Sequence, residues 1–171
     1  MIMSRLLKNT PGCPKANWTW HNCIDLKEDE GFEFDEYEDC EFCGQEKIRY
    51  VHELTHTDWP QVIRVGRICA ARYTATSPAE LERHEAILKN RSQRRQRFPK
   101  LKAWKTSTKG NSHIDYLDHH ILVVRRQGGF GLKIDSKWGT MTFPSERDAM
   151  FKAYDVVTKR ARSHKACDST T

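Results

Sequence analysis

Apolar and polar residues alternate in the second quarter of the chain, as they do along a strand with one buried face. The even positions from Ile48 to His56 carry Ile, Tyr, His, Leu and His, and residues of one parity share a face of a regular strand. A second strand is predicted over Gln61 to Val65, after which Gly66 leads towards an Ala-Ala-Arg run that can open a helix. The pattern predicts a small β-rich unit that ends in a helix.

The clearest predicted helix follows Ser77. Ser77-Pro78-Ala79-Glu80 is a capping box, in which the serine and glutamate side chains satisfy free backbone N–H groups, and proline suits the first helical position. Good helix formers continue to about Arg97, where Phe98-Pro99 ends the pattern. Few positions of this helix are apolar, so it is predicted to be largely exposed, as a connector between two modules would be.

The last third of the chain changes to strand periodicity and then back to helix. An apolar run at Ile121–Val124, alternating apolar residues over 130–134 and a mixed run over 138–143 predict three strands, whereas 114–118 is only a short mixed piece. Ser145 can cap a helix that follows, with Asp148 three residues on. The predicted unit is three strands and one packed helix.

These elements predict an α+β fold built from modules. We expect residues 1–76 to form a zinc-stabilised β-rich module, 77–110 a basic helical connector, 111–162 a three-stranded antiparallel sheet with one helix, and 163–171 a disordered tail. With 171 residues and 37% hydrophobic content, the cores must be small, and a second small module needs help such as a metal ion.

Five soft metal ligands lie close together in the first module. Cys40 and Cys43 form a Cys-x2-Cys-Gly turn, His52 and His56 follow on one strand face, and Cys69 stands where the helix begins. Zinc in a structural site takes four such ligands in a tetrahedron. Because a turn, a hairpin and a ligand at a helix start is the order of treble-clef-like modules, we predict a structural Zn²⁺ bound by Cys40, Cys43, His56 and Cys69. His52 is the alternative histidine, and Cys40, Cys43, His52 and His56 are an alternative set that would leave Cys69 spare.

Sequence composition indicates in which cellular compartment the protein is expected. No apolar run approaches the roughly 18 residues of a transmembrane helix, and the first residues lack an apolar core of signal-peptide length. Cys13, Cys23 and Cys167 are scattered rather than arranged as a disulfide framework. A cytoplasmic location is expected.

The net charge of the chain is +6, and the charged residues are distributed unevenly along the sequence. Residues 1–45 contain four Lys or Arg against ten Asp or Glu, and this acidic front is mixed with aromatic residues such as Phe32, Phe34 and Phe42. We expect those aromatic residues to complete the core of the zinc module, and the alternative is a docking surface for a basic partner.

The middle of the chain is basic. Residues 76–109 contain ten Lys or Arg against three acidic residues, with no acidic residue from 88 to 111. Cations interleaved with Asn, Gln and a few aromatic residues suit contact with phosphates and bases. The candidate nucleic-acid contacts in this basic segment are Lys89, Arg91, Arg94, Arg95, Arg97, Lys100, Lys102 and Lys105.

The run from Ile121 to Val157 resembles the three-stranded-sheet-plus-helix domains of the AP2 and phage-integrase-arm type. The resemblance lies in an Arg-rich first strand, a Gly-Gly turn, Phe-Gly-Leu-Lys-Ile and the helix that starts at Phe-Pro-Ser-Glu-Arg-Asp. In that family the sheet lies in the DNA major groove, so the resemblance implies that Arg125, Arg126, Lys133 and Trp138 read bases.

More broadly, the chain resembles small uncharacterised bacterial proteins that join a Cys-x2-Cys-Gly, Tyr-Val-His, Val-Gly-x-x-Cys-Ala module to such a domain. Members of that group often carry Cys-x-Cys-Ala where this chain has Arg67-Ile68-Cys69-Ala70. The resemblance implies no activity.

The sequence therefore predicts a non-catalytic zinc protein that binds DNA or RNA. One alternative is a protein–protein adaptor or inhibitor that uses the acidic aromatic front. A second is a metal-dependent nuclease, since Asp135-Ser136-Lys137 resembles the acid-x-lysine pair of such enzymes, with Asp115 or Asp118 as a second carboxylate and His119 or His120 as a base.

Overall fold

The computed structural model of the 171-residue chain describes residues 6–27 and 37–168, with 160–168 described by their backbone alone. The chain forms two compact units, Met1–Ser92 and Gln93–Thr171, and the boundary between them falls inside one helix. In the part of the chain that the structure describes, no helix has both the length and the apolar character needed to cross a bilayer.

Unit 1 (Met1–Ser92) consists of a three-stranded antiparallel sheet followed by helices. Strands β1 (Thr19–Asp25), β2 (Tyr50–His56) and β3 (Trp59–Val65) lie in that order, with β2 in the centre. Helix α1 (Arg67–Tyr73) begins directly after β3, and α2 (Pro78–Arg97) follows. The two strands and the helix predicted between residues 48 and 72 are confirmed.

Aromatic residues of the acidic front pack in the core of unit 1 together with Tyr73 of α1. Phe42 is fully buried, stacks on Tyr73 with ring centres 4.0 Å apart, and meets Trp18 edge-on at 5.8 Å. Tyr37, in contrast, is 41% exposed. Phe32 and Phe34, which the alternation placed on a strand, lie outside the described residues.

Helix α2 begins and ends where its sequence signals predict. The Ser77 hydroxyl oxygen accepts the backbone N–H of Glu80 at 3.2 Å, as the capping box requires. Leu81 is fully buried in the core of unit 1. The helix ends at Arg97, and Phe98, in the 3₁₀ turn Phe98–Lys100, is buried in the core of unit 2.

Unit 2 (Gln93–Thr171) contains a five-stranded antiparallel sheet, so the prediction of three strands was wrong. The strands lie in chain order: β4 (Lys105–Thr106), β5 (Ser112–Tyr116), β6 (His119–Arg126), β7 (Gly129–Ile134) and β8 (Lys137–Phe143). Strand β5 was missed because only its Ile114 is buried, and because its turn to β6 uses Leu117 and Asp118 at φ of 50° and 61°. Leucine is not a residue that signals a left-handed turn.

Helix α3 (Glu146–Asp168) packs against one face of this sheet. The Ser145 hydroxyl oxygen accepts the backbone N–H of Asp148 at 3.1 Å, which confirms the predicted cap. The core between helix and sheet contains Ile114, Ile121, Val123, Leu132, Ile134, Phe143, Ala149, Met150, Ala153, Tyr154 and Val157. The helix continues through residues 163–168, where the sequence predicted a disordered tail, and 169–171 lie outside the described residues.

Candidate metal centre and basic surface

Three cysteines from two parts of unit 1 converge on one point. Cys40 and Cys43 belong to a tight turn in which the Gly44 N–H donates to the Cys40 carbonyl at 2.7 Å, and Cys69 lies in the first turn of α1. Their Sγ atoms all lie within 4.8 Å of one another. Gly44 has a φ of +74°, a left-handed conformation that favours glycine, and the end of the Leu6 side chain lies close beside it.

The chemistry of this group suits a metal ion such as zinc. Thiolates bound to one tetrahedral zinc at about 2.3 Å lie about 3.8 Å apart, which is compatible with the observed spacing. Burial raises the pKa of Cys69, and the neighbouring Cys40 raises it further. For Cys43, burial also acts to raise the pKa, but hydrogen bonds from the Gln45 backbone and the other two thiols hold it below its ordinary value. Two buried thiols and one partly buried thiol thus lie close together, and a bound cation would favour their thiolate forms.

His52 lies outside the three-cysteine group and has other partners. It is fully buried, and its Nδ1 accepts the indole N–H of Trp20 at 3.1 Å. The neutral ring must therefore carry its proton on Nε2, which lies 3.0 Å from a carboxylate oxygen of Glu85 and can donate to it. Burial lowers the pKa of His52, which keeps it neutral. Both nitrogens are occupied, which argues against His52 as a metal ligand.

His56 also lies outside the three-cysteine group, next to Asp58 and Trp18. Its Nδ1 accepts the backbone N–H of Asp58 at 3.0 Å, and its ring centre is 5.3 Å from that of Trp18. The structure thus brings together three of the four predicted ligands, including Cys69. The fourth ligand and the identity of the metal stay predictions.

Cys23 belongs to a buried polar cluster that the sequence did not reveal. Its Sγ lies 3.9 Å from Nε2 of His52, next to Glu85, which suggests a nucleophile, a base and an acid. The geometry does not support that chemistry, because Nε2 is a donor to Glu85 and cannot accept the thiol proton. Burial also raises the pKa of the Cys23 thiol to about 12. The cluster stabilises the packing of β1, β2 and α2.

The basic segment divides into exposed cations and two partly buried arginines. Its exposed members are Lys89, Arg94, Arg97, Lys100, Lys102 and Lys105, whereas Arg91 and Arg95 are partly buried. Arg95 donates two hydrogen bonds to Asp155, at 2.9 and 3.0 Å, and its guanidinium lies 4.6 Å from the ring centre of Phe151. Arg95 therefore has a partner within unit 2, which argues against a phosphate contact, and its assignment as such a contact stays a prediction.

The four candidate base readers do not share one face of the sheet. Arg125 pairs with Phe130 on the side of the buried Val123 and Leu132, although Arg125 itself is exposed at the strand end. Arg126, one residue on, points to the opposite side. One face of the sheet therefore cannot present both Arg125 and Arg126, and the assignment of base readers stays a prediction.

Arg126, Lys133 and Trp138 lie together on the sheet face opposite α3. Lys133 is paired with Trp138, and its Nζ lies 5.5 Å from the indole centre. The Arg126 guanidinium lies 4.3 Å from the same ring, having crossed over Gly131, where a β-carbon would be 2.7 Å from Arg126 Cζ. Gly131 thus leaves room for the Arg126 side chain, a role that sequence reasoning missed although a glycine inside a strand is a recognised signal of close approach.

The carboxylates proposed for a nuclease form separate pairs with histidines. His119 Nδ1 lies 2.9 Å from Asp135, and His120 Nδ1 lies 2.6 Å from Asp115. Across residues 6–27 and 37–168, the cysteine group is the one set of three or more His, Cys, Asp or Glu ligands spaced for a metal ion. The described residues therefore do not bring Asp115 and Asp135 into a common metal site.

Comparison with known proteins found no matching family model, no matching curated protein and no matching solved structure. The two resemblances noted in the sequence stay predictions.

Proposed function

We propose that the chain is a non-catalytic nucleic-acid-binding protein whose first unit is stabilised by a structural zinc ion. The observation that carries this proposal is the separation of charge between the two units. Unit 2 contains 17 Lys or Arg against 7 Asp or Glu, a difference of +10, whereas unit 1 contains 12 against 16, a difference of −4. A strongly basic unit attracts phosphates through release of their counterions.

The exposed cations near the start of unit 2 are suited to phosphate contact. Arg94 and Arg97 are three residues apart on α2, about 60° around the helix axis, so both are reachable from one side. Lys100, Lys102 and Lys105 continue from the end of the helix to β4 and are also exposed. No acidic residue interrupts this segment in the sequence.

Zinc is assigned to Cys40, Cys43 and Cys69, with His56 as the fourth ligand. His56 is preferred to His52 because both nitrogens of His52 are already held, by Trp20 and Glu85. Since Nδ1 of His56 accepts the Asp58 N–H, binding of a metal through Nε2 would require the ring proton to move to Nδ1 and that hydrogen bond to be given up. When bound, zinc would hold the Cys-x2-Cys turn against the start of α1. The role is structural, since four protein ligands leave no position for water.

The function is tested by fluorescence anisotropy with unrelated DNA and RNA oligonucleotides over a range of salt concentrations. The affinity should fall steeply with salt for all of them. Arg94→Glu and Arg97→Glu should each lower the slope of log affinity against log salt by about 0.9, the value of one lost phosphate contact.

Arg83→Glu is the matched control, because Arg83 is exposed on the same helix but belongs to unit 1, and the change in net charge is identical. It should leave the salt slope nearly unchanged. The absence of binding to every nucleic acid, or equal effects of the three substitutions, would contradict the proposal and leave the adaptor as the leading function.

A further inference from the structure

Strand β8 forms one edge of the sheet in unit 2, and its outer backbone edge is open to a further strand. In the part of unit 2 that the structure describes, β7 is the one strand paired with it. All residues of β8 except the last are exposed, and they include two large apolar side chains, Met141 at 55% and Trp138 at 51%. An extended segment of another chain can add to a sheet at an edge strand of this kind.

The face of β8 on the side of α3 borders an apolar groove. The groove has a volume of about 220 Å³, and its apolar lining includes Leu132, Ile134, Met141, Phe143 and Val156. Lys137 and Lys152 line it as well, and none of the described residues that line it is acidic. The groove therefore favours an apolar side chain on a segment that carries negative charge.

The opposite face of β8 presents cations around its tryptophan. Trp138 pairs with Lys133 of β7, so both side chains lie on the sheet face away from α3. The Lys133 Nζ lies 5.5 Å from the indole centre, and the Arg126 guanidinium, which reaches it from β6 across Gly131, lies 4.3 Å away. Both cations are thus brought to the edge strand, within reach of carboxylates on an added strand.

The two faces together specify which sequence fits as an added strand. Successive side chains of a strand point to opposite faces, so one parity should be apolar and the other acidic. The chain contains such a run in its own acidic front, where residues 32–35 read Phe-Glu-Phe-Asp. We call these four residues the front segment; they lie outside the described residues, and their sequence supplies the match.

The charges of the two units favour this occupant over a second β8 strand. Unit 2 has an excess of 10 basic residues, whereas unit 1 has an excess of 4 acidic residues. Symmetric pairing of two β8 strands would bring two basic units together, and like charges oppose that association. Addition of the front segment instead brings acidic residues to a basic unit.

We propose that the front segment of one copy of the chain adds as a strand to the outer edge of β8 in a second copy. Its phenylalanines face the groove beside α3, and its carboxylates meet Arg126 and Lys133 on the opposite face. The contact is head-to-tail, because the front segment and the β8 edge are different surfaces. One short strand makes a small interface, so the association is weak and depends on concentration. The inference goes beyond the proposed function and does not rest on nucleic-acid binding.

Sedimentation velocity of the full-length protein, treated with nuclease and measured over a range of concentrations, tests the proposal. The wild type should self-associate. Phe34→Ser should weaken association about 10- to 100-fold, the effect of losing one buried apolar side chain, and Met141→Glu should weaken it at least as much because it places a carboxylate beside the groove. Leu117→Glu is the matched control, since it makes the same change at another exposed apolar residue of unit 2, 46% exposed, and should leave association unchanged. Thermal unfolding checks the fold of each variant.

A mixture of the two variants tests the direction of the contact. The Phe34→Ser copy keeps an intact β8 edge, and the Met141→Glu copy keeps an intact front segment. The mixture should therefore form a dimer that neither variant forms alone, with about the affinity of the wild-type contact. Failure of the mixture to associate would overturn the head-to-tail arrangement.

A fluorescent peptide of residues 30–37 provides a measurement that needs no folded variant of the front segment. It should bind the wild type and lose binding to Met141→Glu, and the peptide with Phe32→Ser and Phe34→Ser should not bind. A wild type that stays monomeric at every concentration would overturn the proposal; if the peptide still binds, the β8 edge accepts such a strand from another protein instead. Association that both variants retain would also overturn it, because another surface would be responsible. These measurements contain no nucleic acid, so their failure leaves the proposed function standing.

Discussion

Replacing Arg95 with alanine should destabilise unit 2 without removing a phosphate contact, although Arg95 stands in the middle of the basic segment. Its guanidinium makes two hydrogen bonds to Asp155, and the two side chains keep only 24% and 19% of their exposure. Phe151 adds a cation–π contact at 4.6 Å. The substitution would leave the Asp155 carboxylate largely buried without this partner.

The loss of stability expected for Arg95→Ala follows from the partial burial of the Arg95–Asp155 pair. An exposed ion pair contributes about 0–1 kcal/mol, and breaking a fully buried one costs about 3–5 kcal/mol. Residual solvent screening places this pair between those limits, at about 1–2 kcal/mol, and the lost cation–π contact adds about 0.5–1 kcal/mol. We expect a total of about 2–3 kcal/mol for Arg95→Ala, against less than about 0.5 kcal/mol for Arg94→Ala on the exposed side of the same helix.

Hydrogen exchange of the backbone amides of β6 and β7 is the appropriate assay, because two units can unfold separately and a global transition would mix them. Arg95→Ala should reduce the opening free energy of these amides, and Arg94→Ala should not. A double-mutant cycle with Asp155→Asn isolates the pair. Unchanged protection in Arg95→Ala, together with a reduced salt slope for nucleic-acid binding, would refute this reasoning and return Arg95 to the phosphate-contacting set.

Three further predictions concern the metal and the tryptophan. Cys40→Ser should lose zinc, measured by elemental analysis, and unfold unit 1, because metal binding contributes to its folding; wild-type protein isolated under reducing conditions without zinc would contradict the assignment. His56→Ala should lose zinc, whereas His52→Ala should keep it. His52→Ala should nevertheless destabilise unit 1 by about 2–4 kcal/mol, because the hydrogen-bond partners of His52 are left unpaired in a cavity. Zinc analysis and urea unfolding measure the two effects, and the reverse pattern of zinc retention would show that His52 is the ligand. Gly131→Ala should displace Arg126 from the indole and weaken binding of DNA and RNA oligonucleotides as much as Arg126→Ala does, with no further loss in the double variant. Additive losses would show that the two positions act independently.

Sequence reasoning succeeded where local chemistry determines the structure. The capping serines at Ser77 and Ser145 act on their own backbone neighbours, so the starts of α2 and α3 could be predicted without knowledge of the rest of the fold. The Cys-x2-Cys-Gly turn is equally local. Cys69 is distant in the sequence from this turn, and it could be added to the candidate ligands because it stands at a predicted strand-to-helix junction.

Sequence patterns do not identify the distant partners that decide the role of a residue. Arg95 is 60 positions from Asp155, and nothing in the basic segment separates it from Arg94. His52 and His56 occupy positions of the same parity in one strand. His52 nevertheless contacts Trp20 and Glu85, which are 32 and 33 positions away in the sequence. Patterns of residue type identify which interactions a side chain can make, whereas its partners in the fold determine which of its groups stay available for a ligand.

The change of charge within α2 limits where a nucleic acid can bind. The first half of the helix carries three glutamates, Glu80, Glu82 and Glu85, and the second half carries none, so the sign of the charge changes near the boundary between the units. At physiological salt, charges act over about 8 Å, so the acidic unit repels phosphates near its own surface without cancelling the attraction of unit 2. A bound strand should therefore contact unit 2 and avoid unit 1. On this proposal a zinc ion in unit 1 would affect binding only indirectly, and loss of zinc, although it should unfold unit 1, should leave the salt slope of binding by unit 2 unchanged.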